Sequence, residues 1–530
     1  MRIEGDVPCF RGSGVDPDAI SADAPHHVLN LLGGKWQESA SATPFPDPLN
    51  GGTFMRVSEI GAAEAQPFVK SLQECPKSGL HNPFKNPERY VTYGAVSAKA
   101  SAEMRKPEVE RFFARLIQRV APKSYAQALG EVVVSRRFLE NFSGDQVRYL
   151  ARSFSDPGDH QGQHSSGWRW PFGPVAVVSP FNFPLEIPLL QTMGALFMGN
   201  KVVYKGDSRV SVVMEQALRL LHACGAPPAD LDMVACEGAV MQGLLEAARP
   251  RVTQFTGSST VGEALSAALG GRVRLEDAGL DWKILGPDVG NVDYAAWVCD
   301  QDAYAFSGQK CSAQSLLFVH DSWVRAGLLD RLRTLAMRRS LEDLTVGPVL
   351  TVTTERAMAH VDALLRVPGA EVLFGGKPLD APRIPRCYGA WEPTAVRVPL
   401  RELLKPEHLP VCTREIFGPM QVVTTYGDGE LPLVLAACEA LDAHLTAAVV
   451  SSNRAFQRAV LGATVNGTTY CGARARTTGA PQNHWFGPAG DPRAAGIGTR
   501  EAIRMVWSCH REIVMDEEPV PEGWTTPPPS

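Results

Sequence analysis

Between residues 175 and 275 the chain alternates between short strand-forming runs and helical stretches, and few folds accommodate that order. Val175-Ala-Val-Val-Ser reads as a buried strand, and residues 184–198 as a buried helix closed by Gly199-Asn200. Lys201-Val-Val-Tyr-Lys is the next strand, with a helix over 210–223. Met233-Val-Ala, Arg251-Val-Thr-Gln-Phe and the run 272–275 repeat the strand signal, separated by helices near 239–248 and 260–269. Strands linked by helices of this length predict a parallel sheet covered on both faces.

A second alternating block follows. Helices are expected over 293–305, 322–338 and 354–365, and strands over 315–320, 371–374 and 444–451. Upstream, Phe112, Phe113, Leu116, Ile117 and Val120 recur at helical spacing within a stretch that runs from 102 to about 154. The segment 156–166 is polar, a loop or hairpin. Residues 472–498 are rich in Gly and Pro with little periodicity, and a loop of that length is usually functional or a linker. The run 503–515 could be helix or strand. With 530 residues, two or more domains are expected.

Bulk properties exclude some classes. A net charge of -5 gives no electrostatic case for nucleic acid. The longest apolar run, 183–198, is interrupted by Pro184, Glu186 and Pro188, so no bilayer span is expected. The 11 cysteines are an odd number and show no zinc-like spacing, which fits reduced thiols rather than a disulfide framework. The first 27 residues are too acidic for a transit peptide and lack a signal-peptide core.

Cys311 stands out among the thiols because it lies in Gly308-Gln-Lys-Cys-Ser-Ala, a turn that could bring a nucleophile to a cleft. Glu276 ends the run Arg272-Val-Arg-Leu-Glu and could serve as its base. Asn182, in Pro180-Phe-Asn-Phe-Pro184, is either a helix cap or a fixed amide donor to an oxyanion. Lys205 ends a strand, where a lysine is either solvated or a donor to ribose hydroxyls. Phe255-Thr-Gly-Ser-Ser-Thr-Val-Gly262 puts small residues at a helix start. On the residues alone an ordinary helix cap outweighs a phosphate cradle there, roughly two to one.

These segments, in this order, together with Glu415-Ile-Phe-Gly-Pro419, resemble the aldehyde dehydrogenase superfamily from about Leu29 to His510. Gly308-Gln-Lys-Cys-Ser-Ala and Thr477-Thr-Gly-Ala are similar to the Δ1-pyrroline-5-carboxylate dehydrogenases. The stretches 183–191, 275–287 and 478–488 are similar to their plant-type branch. The resemblance implies an α/β fold with a Rossmann-like NAD-binding domain (29–146 and 171–287) and an α/β catalytic domain (288–502). It also implies a small β oligomerisation arm (147–170 and 503–517), with 1–28 and 518–530 as peripheral termini. A homo-oligomer, dimer or tetramer, would follow, with the mitochondrial matrix as the compartment or the cytosol as the alternative.

By the same resemblance Cys311 attacks the aldehyde of glutamate γ-semialdehyde, Asn182 holds the oxyanion, and Glu276 activates the water that hydrolyses the thioester. NAD would be held by Ser179, Pro180, Phe181, Lys205, Ser208, Ser258, Glu415 and Phe417. The substrate would be held by Phe183, Ser312 and the backbone of Gly479 and Ala480. No metal is implied. The chain departs from the superfamily at Ala278, where a glycine is usual, and at Phe181, where Trp is usual. Ser208 stands three residues after Lys205, where an acidic residue is common, with Asp207 one residue earlier; a carboxylate there would repel the extra phosphate of NADP. Other functions on the same residues are a dehydrogenase for another aldehyde, an acyl transferase to coenzyme A, which would not need Glu276, and a silent NAD-binding scaffold.

Overall fold

The structure, a computed structural model, describes residues 14–277, 279–442, 444–479 and 484–530. The chain enters through five short strands, His26–Val28 (β1), Asn30–Leu32 (β2), Lys35–Gln37 (β3), Thr43–Pro46 (β4) and Thr53–Val57 (β5). At three to five residues each, they are too short to leave a periodicity in the sequence. The helical stretch resolves into Glu88–Met104, Pro107–Val120 and Tyr125–Asn141. Its breaks fall at prolines. Pro107 starts the second helix, where its missing N–H costs nothing, and Pro122 lies between the second and third. The polar segment after them is a hairpin of Arg152–Pro157 (β6) and Gln163–Pro171 (β7).

The first large sheet carries the expected alternation. Pro174–Val178 (β8), Lys201–Lys205 (β9), Leu231–Met233 (β10), Val252–Thr256 (β11) and Val273–Glu276 (β12) are parallel, in the order β12-β11-β8-β9-β10. β2 and β3 extend it antiparallel beyond β10. Successive side chains enter opposite cores. Val175, Val177 and Val202 pack beneath the sheet with the helices of residues 88–141, while Ala176 and Val203 pack above it with Leu244 and Leu265.

The reading of the sequence fails just after Glu276. Asp281–Leu285 (β13) is a strand, and it belongs to the second sheet, pairing with Gln314–His320 (β14) and Thr446–Val450 (β18). Residues 281–287, expected with the cofactor-binding block, therefore follow a crossing between sheets that has already happened. The run Asp-Trp-Lys-Ile-Leu concealed this because its polar side chains are buried and held by distant segments. Asp281 accepts the Thr446 N–H at 2.6 Å, and Lys283 meets Asp302 at 2.8 Å. The second sheet is completed by Glu371–Phe374 (β15), Thr394–Arg397 (β16), Met420–Tyr426 (β17) and Thr468–Cys471 (β19), in the order β15-β16-β17-β14-β13-β18-β19. It too feeds two cores, with Ile284, Leu316 and Phe318 on one face and Leu285, Leu317 and Val319 on the other.

Two smaller differences have local causes. The helix expected over 322–338 is two helices, Asp321–Arg325 and Leu328–Ala336, broken at Gly327 with φ +82°. The C-terminal run is both helix and strand, Arg500–Trp507 followed by Ser508–Asp516 (β20), which pairs antiparallel with β7. Among the described residues no helix is long and apolar enough to cross a membrane.

Candidate active site

The two sheets present opposite edges to one another. Glu276 is the last residue of β12, Asn182 follows β8 and Lys205 ends β9, so all three lie at carboxyl ends of the first sheet. Gly279, Cys311, Glu415 and Phe417 precede β13, β14 and β17, at the amino edge of the second.

Cys311 is placed by an unusual turn. Phe306, Ser307 and Gly308 are all left-handed, at φ 57°, 52° and 65°. Such residues cost about 1–3 kcal/mol each unless their surroundings fix them. Here they do. Ser307 Oγ accepts the Gly347 N–H at 2.7 Å. Buried Gln309 donates to Pro348 O at 3.0 Å and accepts the Leu350 N–H at 2.8 Å. A Cβ on Gly308 would lie 2.1 Å from the Gly418 carbonyl, so this position requires glycine twice over, for φ and for space.

Glu276 is 3% exposed and faces the Cys311 thiol closely enough to interact with it. Neither of its carboxyl oxygens makes a well-directed hydrogen bond among the described residues. Burial, opposed by the thiol and aided by Asp277, pushes its carboxyl up to about 7. Burial also holds the Cys311 thiol well above its ordinary value, with Glu276 and Asp281 adding to the rise. An unpaired buried carboxyl poised near neutrality beside a thiol is the electrostatic arrangement of a proton acceptor. Asn182 is buried, its Nδ2 donates to Gln309 O at 3.1 Å, and its Oδ1 has no partner among the described residues. The amide is thus anchored to the backbone two residues before the thiol.

Cys311 opens onto two cavities. One is lined by Pro180, Phe181, Asn182, Ser258, Glu276, Gly279, Glu415 and Phe417. The other is lined by Phe183, Ser312 and Gly479, together with Lys310, Arg476, Glu131 and Glu186. Ala480 and Ala278 lie outside the described residues. Ser179, Lys205 and Ser208 do not line the first cavity; Ser179 and Ser208 are buried next in sequence to Pro180 and Asp207, which do, and Ser179 Oγ lies 3.1 Å from Tyr204 OH. The first cavity suits a dinucleotide. Ser258 opens the helix Ser259–Ala268, yet its side chain caps none of that helix's N–H groups, so the helix start faces the cleft uncapped. Ser258 thus takes the cap position through its backbone, its carbonyl accepting the Val261 and Gly262 N–H groups, and leaves its side chain free of that role. Phe181 and Phe417 meet edge to face at 5.9 Å beside it.

Three buried residues that the sequence did not single out hold this geometry. Gln309 is one. The others are Lys123 and Glu131, an ion pair at 3.0 Å with both side chains buried. Lys123 Nζ donates to the Asn182 carbonyl at 2.8 Å and sits over the rings of Phe306 and Phe183, at 3.9 and 4.8 Å. Glu131 accepts the N–H groups of Leu185 and Glu186 at 2.8 and 3.2 Å. Of the pair, only Glu131 leaves a local signal, as a charge within the apolar run 128–134; Lys123, between Pro122 and Ser124, leaves none.

Comparison with known proteins agrees with this geometry. Residues 36–510 match the Aldehyde dehydrogenase family. The chain is 62% identical to a "Probable aldehyde dehydrogenase" of Linum usitatissimum over 97% of this chain and 93% of that one. It is 61% identical to "Delta-1-pyrroline-5-carboxylate dehydrogenase 12A1, mitochondrial" of Arabidopsis thaliana, with the same coverage of both. The solved structure of an NAD-dependent aldehyde dehydrogenase from Sinorhizobium meliloti superposes with a TM-score of 0.81 at 20% identity, covering 97% of this chain and 100% of that one.

Proposed function

The chain belongs to the aldehyde dehydrogenase family, and on that premise we propose that it oxidises L-glutamate γ-semialdehyde to L-glutamate with NAD, a step of proline catabolism. The semialdehyde is the open form of Δ1-pyrroline-5-carboxylate. The observation that carries this reading is that one thiol opens onto two cavities, and the second of them bears both signs of charge. Lys310, Arg476 and Ser312 suit a carboxylate, and Glu186 suits an ammonium, Glu131 being already held by Lys123 and two backbone N–H groups. An α-amino acid carrying an aldehyde offers both groups. The name of the Arabidopsis relative supports the same substrate and a mitochondrial location.

In this reading Pro180, Phe181, Ser258, Glu415 and Phe417 hold NAD in the first cavity, with Lys205, Ser179 and Ser208 at its ribose end. When bound, NAD supplies the hydride acceptor. Cys311 Sγ adds to the aldehyde carbon, passing its proton towards Glu276. The Asn182 amide and the Cys311 N–H stabilise the oxygen of the adduct. After oxidation the acyl group remains on Cys311 as a thioester; Glu276, once it has released the thiol proton to solvent, takes a proton from the water that attacks the thioester, and the Cys311 thiolate leaves. The Gly479 backbone, in a left-handed conformation at φ +86°, offers its N–H to the substrate carboxylate. Phe183 packs along the aliphatic chain.

The exposed three-stranded sheet of β6, β7 and β20 is the surface through which copies of the chain would pair as a dimer or tetramer. A steady-state assay with Δ1-pyrroline-5-carboxylate, against an aliphatic semialdehyde lacking the α-amino and α-carboxyl groups, tests the substrate. A kcat/KM at least about 100-fold higher for the former is expected; equal values would leave a general aldehyde dehydrogenase.

A further inference from the structure

The ribose end of the cofactor cleft carries a charge that no local motif announces. Ser208 Oγ donates to Glu59 Oε1 at 2.5 Å across 149 residues of sequence. Glu59 follows β5, and its backbone forms a parallel bridge with Ala235, beyond the end of β10. The Ile60 N–H fixes that bridge by donating to the Ala235 carbonyl at 2.8 Å. β10 lies next to β9, whose last residue is Lys205. Glu59 thus stands over the carboxyl ends of two adjacent parallel strands, on the side of the sheet edge where nucleotides bind. The buried Cys236 thiol, next after Ala235, is within reach of both charges. Burial pushes it up to about 11, Lys205 acts to lower it and Glu59 to raise it. Glu59 is half-buried, and among the described residues its Oε2 accepts no hydrogen bond.

The cations at this end are Lys205, which the reading above assigns to the ribose hydroxyls, and Arg209. Arg209 lines the cleft, but its guanidinium is already spent. Nε and one terminal nitrogen bind Asp207 at 2.9 and 2.5 Å, the other nitrogen donates to the Leu350 carbonyl, and the plane sits 5.2 Å from the Phe181 ring centre. In open α/β sheets a carboxylate at this place bonds the ribose hydroxyls of NAD, whereas a free arginine accommodates the 2′-phosphate of NADP.

We infer that Glu59, held in place by Ser208, is the carboxylate that binds the adenosine ribose of NAD and rejects NADP. Ser208 is then the tether of an acidic group delivered from the N-terminal strands, and its presence after Lys205 does not relax cofactor choice. The inference rests on the cofactor reading above and concerns cofactor choice alone.

The test is direct binding, by calorimetric titration of NAD and of NADP into the full-length protein without aldehyde. Glu59→Gln should weaken NAD about tenfold, the worth of one hydrogen bond to a charged group, and strengthen NADP. The ratio of the two Kd values should therefore shift by more than tenfold. Ser208→Ala should move it in the same direction by less, and it decides the matter if Glu59→Gln fails to fold. A folded Glu59→Gln protein, or in its place Ser208→Ala, that keeps the wild-type ratio within twofold overturns the role of Glu59 alone. A wild-type protein that binds neither nucleotide overturns the dehydrogenase reading and this one together.

Discussion

Lys123 and Glu131 are paired at 3.0 Å in the interior, and both also hold the segment that carries Asn182. Lys123 fixes the Asn182 carbonyl, and Glu131 fixes the first N–H groups of the helix that follows. Burial pushes the Lys123 amine down, and the Glu131 charge opposes that fall. Removing one partner strands the other in the interior. Lys123→Met should cost about 3–5 kcal/mol, read from urea denaturation. Lys123→Met combined with Glu131→Leu should recover much of that stability but not the activity, because the Asn182 segment loses its anchor.

Glu276 titrates near neutrality, and the sign of its effect differs between rate and stability. Only the carboxylate takes a proton, so kcat should rise with pH through about 7. Glu276→Gln should lower kcat about 10²–10⁴-fold and slow the first turnover of NADH as well, because the same carboxylate receives the thiol proton; stopped-flow absorbance reads both.

The folded-state pKa of Glu276, about 7, lies above its usual 4.5. The folded protein therefore binds the proton more tightly than the unfolded chain. The resulting stability is complete below about pH 4.5 and lost as pH rises through about 7, a change of about 3 kcal/mol. Glu276→Gln, which never ionises, should gain stability over the wild type at pH 8 and little at pH 5. Thermal melts at the two pH values make the comparison.

Gly279 is needed for space rather than for φ. A Cβ there would lie 2.6 Å from both the Cys311 carbonyl and Glu415 Oε1. Gly279→Ala should push Cys311 out of line with Asn182 and Glu276, lowering kcat about 100-fold with the fold intact by circular dichroism.

Ser312 lines the second cavity immediately after the nucleophile. If it bonds the substrate carboxylate, Ser312→Ala should raise KM for the semialdehyde about tenfold. KM for an aldehyde lacking the carboxylate should stay unchanged, which separates lost recognition from a general disturbance of Cys311.

The reacting groups were legible because each lies in a local pattern. Cys311 sits in a Gly-containing turn, Glu276 at a strand end and Asn182 just before a helix, and the parallel sheet between 174 and 276 follows from short strands alternating with helices. What the sequence could not disclose depends on contacts between distant segments. β13 looked like the tail of one sheet because its buried Asp281 and Lys283 mask a strand, and only its pairing with β14 and β18 assigns it to the other. Lys123 and Glu131 are ordinary charges until burial makes them a pair that aims Asn182. Ser208 seemed to lack the acidic group expected after Lys205, yet Glu59 meets it from 149 residues away. Residue type and short-range spacing settle which chemistry a chain carries, because they act within one turn or one strand. The field around that chemistry is decided in three dimensions, because burial and charge pairing exist only once distant strands have met.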